Sequence, residues 1–537
     1  MSRWREPAGL KKQESLAACA AGLFVVQAWA CGAGKRHNPG MDLSLCLPGA
    51  LRIDTHISTV WLAGDHAYKL KKPVKLSFLD FSTLALRRHF LAEELRLNRR
   101  TAPELYLDLL PVTGSASAPR LDGVGEPIEW VLHMRRFPAG QLLSELAASG
   151  QLETRHIDAL AAHVAEFHRR LPALAAAEAP IKDVVAWTCE SLDEAECHPA
   201  RPPAVDRARV LRLRERLLAL LAAQAGWRAR RLQGGFLREC HGDLHLGNLV
   251  LWQGGVVAFD AIEFEPALRC IDLINDVAFA FMDLLACAQP GLAWRLVNGY
   301  VERSGDFDGL TGLRAFAAYR ALVRAKVALL SGQPGGFLRY WPLAERLAAD
   351  PPPPRLLLVM GLSGAGKSTL AAMLAEQAGA IRLRSDVERK RLHGLAATER
   401  PLAAQDLYGA AATRATYARL LELADGLLAA GHSVVVDATL LHQSERAALR
   451  QLAQRRHAPW LLVECRADPA LMERRLLERA AAGSDASDAG VEVLRRQRGS
   501  AEAVPADWAA WHRVLLNEGS LERLRTAAAA LLADWRA

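Results

Sequence analysis

The chain has 537 residues, 51% hydrophobic and 23% charged, with a formal net charge of +8. That length is more than one hydrophobic core serves, and the composition excludes a disordered chain. Nine cysteines, odd in number and without a CxxC pair, argue against a disulfide framework or a zinc ribbon, and no apolar run reaches the roughly 20 residues of a membrane span.

The basic excess is local. Residues 1–40 hold six Lys/Arg against two Asp/Glu, and 355–537 hold 25 against 21, so the stretch between is neutral. No long basic block tracks a nucleic-acid backbone, and neither a nucleic-acid nor a membrane partner is expected. Arg3, Arg5, Lys11 and Lys12 precede an apolar stretch, Leu16 to Ala30, that ends in Ala28-Trp29-Ala30, as a secretory signal would. The preferred reading is an extension or disordered leader ahead of Met41. Scattered, unpaired cysteines suit a reducing compartment, so a cytoplasmic location is expected.

In chain order, Val60–Ala63 and Ala67–Leu70 flank Gly64-Asp65 and read as a β-hairpin. Lys69 and Lys71 alternate onto one face of its second strand. Either suits a phosphate, with Lys69 preferred, and Glu93 or Glu94 in the following helix is the expected carboxylate partner.

The next signal is His241-Gly242-Asp243-Leu244-His245-Leu246-Gly247-Asn248, followed by strand Leu249–Trp252, a Gly254-Gly255 turn, and Val256–Phe259 ending in Asp260. Phosphoryl transfer asks for this spacing. Asp243 takes or orients an acceptor hydroxyl proton, Asn248 five residues on holds Mg²⁺, and Asp260 holds metal after a short hairpin. A zinc site from His241, Asp243 and His245 competes but lacks a complete ligand set. Glu263, Glu265, Asp272 and Asp276 follow. They could gather around a polycationic acceptor, or equally pair Arg269 and cap the next helix.

Residues 351–354 are four consecutive prolines, a short stiff spacer. The expected organisation is a leader (1–40), a first domain (41–350), the proline linker (351–354) and a second domain (355–537). Leu356–Met360 reads as a strand buried on both faces. It leads into Gly361-Leu362-Ser363-Gly364-Ala365-Gly366-Lys367-Ser368, which fits GxxxxGK[ST] at every fixed position, with Thr369 opening a helix. Backbone N–H groups of such a loop, here from Gly361 to Thr369, face the phosphates. Lys367 adds the cation, and the Ser368 hydroxyl reaches Mg²⁺. Val434-Val435-Val436-Asp437 supplies the Walker B acid for the same ion. Asp386 stands at a carboxyl edge, as an acceptor-side base or as a helix N-cap. Arg474, Arg475 and Arg479 could close as a lid, and Arg474 is taken as the nucleotide contact.

On Gly361–Ser368, Arg384-Ser385-Asp386-Val387, Val436-Asp437-Ala438-Thr439 and Ser484-Asp485-Ala486-Ser487, residues 355–520 resemble the small P-loop kinases related to gluconate kinase, adenylylsulfate kinase, polynucleotide kinase and zeta toxins. On Thr55-His56-Ile57-Ser58, Tyr68–Val74, His241–Asn248 and Phe259-Asp260, residues 51–345 resemble the aminoglycoside phosphotransferase-like family, which includes choline kinase. The resemblance implies an α+β protein-kinase-like bilobal domain followed by an α/β P-loop NTPase domain with a parallel sheet. It also implies ATP and Mg²⁺ as cofactors and small hydroxylated acceptors as partners. Two departures stand out: no GxGxxG loop precedes Lys69, and Ala261-Ile262 follows Asp260 where the pattern has Phe-Gly. The expected activity is phosphoryl transfer at two sites. The alternative is a regulatory ATPase whose first domain senses nucleotide without turnover.

Overall fold

The computed structural model describes residues 41–536 apart from 56, 76–78, 176–179, 181, 398, 400–406 and 483–485. The leader, His56 and the pair Ser484-Asp485 therefore lie outside the described residues. Among the described residues, no helix is long and apolar enough to cross a membrane.

The chain divides into two compact units, but not at a single cut. The first comprises residues up to Ala288 together with Gly312–Ala349; the second comprises Gln289–Thr311 and Asp350 onward. The second boundary falls at Ala349–Asp350, next to the proline segment. The excursion of 289–311 into the P-loop unit has no signal in local composition.

In the first unit, six antiparallel strands run in the order β1-β2-β3-β6-β4-β5: β1 Leu51–Asp54, β2 Ser58–Ala63, β3 His66–Lys71, β4 Tyr106–Ser115, β5 Ala118–Leu121 and β6 Glu129–Arg135. The two-residue turn at Gly64-Asp65 pairs Ala63 with His66 and sets Lys69 opposite Val60. Alternation then decides the faces. Trp61 and Leu70 join Leu43, Val112 and Val131 in one core, while Lys69 and Lys71 turn to helix α1, Leu84–Asn98. Thr83 caps α1 by accepting from the Leu86 N–H.

A mostly helical region follows the sheet. It carries the hairpin β7 Leu249–Trp252 and β8 Gly255–Ala258, helix α2 Leu273–Ala286, and, beyond helix α3 (Pro290–Ser304), helices α4 Leu310–Leu330 and α5 Pro334–Ala348. Leu91, Leu105, Tyr106 and Leu132 pack with Val250 and Phe259, so the apolar contacts that close this unit also hold the hairpin that bears Asp260.

The second unit has five parallel strands in the order β10-β11-β9-β12-β13, with β9 Leu356–Met360, β10 Ile381–Arg384, β11 Val434–Asp437, β12 Trp460–Arg466 and β13 His512–Leu516. All five residues of β9 are buried, as the unbroken apolar run predicts for a central strand. Helix α6, Lys367–Ala378, packs Leu370 and Leu374 against Leu357, Val359 and Val435. Helix α3 belongs here. Asn298 donates to the Ala380 carbonyl at 2.9 Å and accepts from the Arg382 N–H at 2.7 Å, covering the edge of β10.

Candidate functional site

In the first unit, Lys69 Nζ donates to Glu94 Oε1 at 2.6 Å and to Asp260 Oδ1 at 2.8 Å. Lys71 Nζ donates to Glu94 Oε2 at 2.9 Å and Glu263 Oε1 at 2.5 Å. Burial alone would lower the Lys69 pKa, but the carboxylates of Asp260 and Glu94 outweigh it and hold the ammonium well above its ordinary value. Of the two glutamates the sequence offers, Glu94 is the partner. Glu93, one residue earlier and so about 100° around the helix, meets Arg96 and Arg269.

The catalytic-type loop is built from inside. Asp276 of α2 is fully buried, and its carboxylate accepts from the N–H groups of His241 (3.2 Å) and Gly242 (2.9 Å) while bonding His168 Nε2 at 3.1 Å. Asp283, two turns on, accepts from the Leu246 N–H at 3.0 Å and the Tyr340 hydroxyl at 2.9 Å. Asn248 Nδ2 donates to Asp243 Oδ2 at 3.0 Å, so the base and metal candidates touch. Burial pushes the Asp243 carboxyl up, but neighbouring His245 and Arg324 more than offset this and hold it below the usual range.

His241 Nε2 bonds the Phe259 carbonyl at 2.9 Å, and Nδ1 accepts from the Asp243 N–H. With both its ring nitrogens engaged, His241 drops out of the zinc alternative, which leaves Asp243 and His245, whose Nε2 lies 3.4 Å from Asp243 Oδ2, an incomplete ligand set. Asp260 sits at φ 61°, a strained position for a residue with a side chain, held by its N–H on Tyr106 Oη (3.1 Å) and by the Ala261 N–H on Asn98 Oδ1 (2.9 Å). The Ala261-Ile262 departure therefore leaves the metal-type aspartate anchored.

Two hollows adjoin these residues. One of about 20 Å³ lies among Thr55, Ser58, Lys69, Asp243, Asp260 and Glu263. Thr55, Ile57 and Ser58 thus border Lys69 and Asp243, although no glycine-rich loop precedes them. The other, of about 50 Å³, is a mainly apolar slot bordered by Val60, Leu62, Met134, Phe137 and Phe259, with Lys69 and Asp260 also on its lining. The sequence reading missed this slot; apolar Met134 and Phe137 ahead of Pro138 were its available signal.

The four acids offered for a polycationic acceptor do not gather. Glu263 holds Lys71, Glu265 caps the Ala267 N–H at 3.0 Å, Asp272 clamps Arg231 at 2.8 and 2.9 Å, and Asp276 anchors the loop.

In the second unit the loop between β9 and α6 needs its glycines. A Cβ on Gly364 (φ 84°) would lie 2.6 Å from the Met472 carbonyl, and one on Gly366 (φ 91°) 2.0 Å from Asn517 Nδ2. Ser363 and Ala365 are buried in the loop, the Ser363 N–H donating to Gln497 Oε1 at 2.9 Å and the Ala365 carbonyl accepting from Asn517 Nδ2 at 2.8 Å. Gly361 sits at φ 143°, and Thr369 is exposed on the first turn of α6. Lys367 Nζ folds back to the Leu362 carbonyl at 3.0 Å. Burial lowers its pKa, with Asp437 and Asp386 opposing.

The pairing of Val359 with Asp437 and of Arg384 with Asp437 brings the Walker B acid beside the loop, where Ser368 Oγ lies 3.3 Å from Asp437 Oδ1. Burial raises the Asp437 pKa against the pull of Arg384 and Arg382. A cavity of about 260 Å³ opens here, lined by Ser363, Lys367, Ser368, Asp386, Asp437 and Arg479.

Asp386 lies in the first turn of helix α7, Ser385–Leu392, whose N-cap is Arg384 and not Asp386. The capping role is therefore not where the structure places it. Arg474 stands apart: it is exposed and its near partner is Glu478 at 3.7 Å. Arg475 instead reaches the Asn517 carbonyl at 3.0 Å, and Arg479 the Ala489 carbonyl at 2.7 Å beside the cavity. Sequence reasoning missed Glu302 of α3. It binds Arg382 at 2.7 Å and Arg384 at 2.9 Å, and although burial would raise it, these two arginines hold its carboxyl at about 2.

Both sites fit a divalent cation. Asn248 Oδ1 and Asp437 Oδ2 are buried oxygens with no hydrogen-bond partner among the described residues.

The chain is similar to several known proteins. Residues 356–504 match the family described as AAA domain. Among solved structures, the GDP complex of aminoglycoside 2'-phosphotransferase-IIIa is 14% identical, covering 57% of this chain and 96% of that one, with a TM-score of 0.37. A choline/ethanolamine kinase family protein from Mesorhizobium loti is 13% identical over 63% of this chain and 95% of that one, with a TM-score of 0.34. A gluconokinase from Sinorhizobium meliloti is 22% identical over 34% of this chain and 96% of that one, with a TM-score of 0.24. The uncharacterized protein Rv2004c of Mycobacterium tuberculosis is 32% identical over 471 residues, 86% of this chain and 91% of its own length, and Mb2027c of Mycobacterium bovis matches equally. The chain belongs to the family of these two mycobacterial proteins.

Proposed function

We propose that the chain is an ATP-dependent phosphotransferase with two sites, each passing the γ-phosphoryl group of ATP to a small hydroxylated acceptor. The observation that carries this is the meeting, in each unit, of a lysine, a carboxylate and a buried oxygen with no hydrogen-bond partner among the described residues. In the transfer, the acceptor oxygen bonds to the γ-phosphorus and the bond to the β–γ bridging oxygen breaks. ADP leaves with that electron pair, and the hydroxyl proton goes to the waiting carboxylate.

Asp243 takes this part in the first unit. Its depressed pKa suits it to orient the hydroxyl first and accept the proton late. Lys69, positioned by Glu94 with Lys71 behind it, meets the phosphates. In the second unit Lys367 and the loop N–H groups hold the phosphates, and Asp386 faces the acceptor. Magnesium, when bound, supplies charge neutralisation; Asn248 and Asp260 would hold it in the first unit, Ser368 and Asp437 in the second. Location in the cytoplasm is part of this reading, because ATP is consumed there.

One observation favours a second reading. The hollow around Lys69 and Asp243 is only about 20 Å³, so the first unit could bind nucleotide as a sensor without turnover. Mg-dependent ATP consumption by wild type, Asp243→Ala and Lys367→Ala, with and without a pool of small metabolites, separates the two. Two separable, acceptor-stimulated activities support transfer at both sites. Loss in Lys367→Ala alone, with no acceptor consumed, supports the sensor.

A further inference from the structure

We propose that Glu302, on helix α3, is a positioning residue for the cation of the P-loop site. It holds Arg384 off the Asp437 carboxylate and so leaves that carboxylate open to the metal. This rests on the nucleotide reading of the second unit and adds a metal-tuning residue that the P-loop motifs do not contain.

The need for such a residue follows from the sheet. Arg384 ends β10 and Asp437 ends β11, and the two are register partners on neighbouring parallel strands, so their side chains stand side by side. Opposite charges so placed in a mostly buried setting attract strongly. They have nevertheless not closed into a hydrogen-bonded pair. Arg384 Nε stays 3.7 Å from Asp437 Oδ2, the oxygen that has no hydrogen-bond partner among the described residues.

Glu302 supplies the restraint. Its Oε1 accepts from Arg384 Nη1 at 2.9 Å and its Oε2 from Arg382 Nη2 at 2.7 Å. Arg382 in turn donates through Nη1 to the Ser368 carbonyl at 3.2 Å. One carboxylate therefore reaches both residues assigned to the cation, Ser368 through Arg382 and Asp437 through Arg384. It also offsets two positive charges that act on Asp437 and would oppose a divalent ion beside it.

Ser368, Arg384 and Asp437 border the 260 Å³ cavity, whereas Glu302 is not on its lining. Glu302 thus acts through its arginines. Its own place is fixed independently, by Asn298 one turn earlier on α3, which bonds the Ala380 carbonyl and the Arg382 N–H, and by Arg391 Nη2, which donates to the Glu302 carbonyl at 2.6 Å. Without the Glu302 charge, Arg384 turns onto Asp437 and competes with the metal for it.

The test reads metal affinity without turnover. AMPPNP binding to the full chain is followed by calorimetry in EDTA and at a series of Mg²⁺ concentrations, and the binding step that Lys367→Ala removes is the P-loop site's. In Glu302→Gln the Mg²⁺ concentration giving half of that step's affinity gain should rise roughly tenfold or more. Affinity in EDTA should not fall, because losing a negative charge does not weaken the grip on phosphates. Adding Arg384→Gln to Glu302→Gln should bring the Mg²⁺ midpoint back to within about threefold of wild type, since the competing cation is gone.

An unmoved midpoint in Glu302→Gln overturns the proposal. So does a loss of affinity that is equal in EDTA and in Mg²⁺, which would make Glu302 a support of the fold alone, and so does a double variant no better than the single one. If Lys367→Ala removes no binding step, the nucleotide reading of the second unit fails and takes the proposal with it, an outcome that is independent of any Glu302 variant.

Discussion

Lys69 of the first unit already spends its charge on Glu94 and Asp260, at 2.6 and 2.8 Å, whereas Lys367 of the second donates to the Leu362 carbonyl at 3.0 Å, with Asp437 and Asp386 acting on it only as charges. Hollows of about 20 and 50 Å³ adjoin Lys69; one of about 260 Å³ adjoins Lys367. The first site is a closed ionic lattice in which two lysines meet three acids. The second is a cradle whose cation waits for phosphate, since glycine-bounded N–H groups need no partner side chain to be placed. The difference teaches that a side-chain-built site must neutralise itself before ligand arrives, while a backbone-built one is shaped by its turn. On the proposed function, a phosphate would have to displace a direct Asp260 ion pair from Lys69, but a carbonyl hydrogen bond from Lys367.

The largest effects should come from removing each centre. Lys367→Ala should cut ATP turnover at the second site by roughly 100-fold or more and leave the first site's kinetics intact. Asp243→Ala should cost the first site roughly 10²–10⁴ in kcat, while nucleotide affinity changes little. Steady-state kinetics on the two variants and the double variant check both. A large loss of nucleotide binding in Asp243→Ala would mean that Asp243 is a metal ligand and the comparison must be redrawn.

Breaking the lattice itself comes next. Glu94→Gln leaves Lys69 and Lys71 buried against fewer charges and should destabilise the first unit by about 3–5 kcal/mol. Denaturant melts should show this loss in the transition assigned to that unit, with the P-loop unit's transition unmoved.

Glu302 sharpens the comparison from the other side, because the open site also leans on one ion cluster. Its carboxyl is held at about 2 against an ordinary 4.5. A depressed acid contributes stability that is complete above about pH 4.5 and lost as pH falls toward 2, here up to about 3 kcal/mol. Acid titration of the wild type should therefore show a steeper loss between pH 4.5 and 2 than Glu302→Gln, which should be weaker at neutral pH. Parallel titration curves would remove Glu302 from that role.

The smallest effect is expected at Arg474. It is exposed with only Glu478 nearby, so Arg474→Ala should leave nucleotide affinity within about twofold, while Arg479→Ala should weaken it measurably. Equal losses would restore Arg474 to the lid.

Much of both sites was legible because their parts lie close in sequence. Asp243 to Asn248 spans five residues on one loop, and Gly361 to Ser368 is a single turn between a strand and a helix. The hairpin that carries Lys69 follows from alternation and a two-residue turn. The choice of Glu94 over Glu93 was not legible, since both lie on α1 and only docking against β3 selects the rotation. Asp276 looked like an acceptor acid and is a buried anchor for the loop N–H groups of His241 and Gly242. Nothing near the P-loop in sequence announces Glu302, whose partners lie 80 and 82 positions away.

The sequence by itself determined the motifs, the strand that feeds each one, the proline boundary and the residue types available for phosphate and metal. Those follow from short-range rules: period-two alternation, turns that demand glycine, and a fixed offset between acid and amide. Tertiary structure alone decided which acid holds Lys69, that helix α3 completes the P-loop unit, and that Arg479 and not Arg474 borders the cavity. The physical reason is that an ion pair or an unsatisfied donor is defined by what else is buried with it, and that neighbour is brought by packing across tens to hundreds of residues.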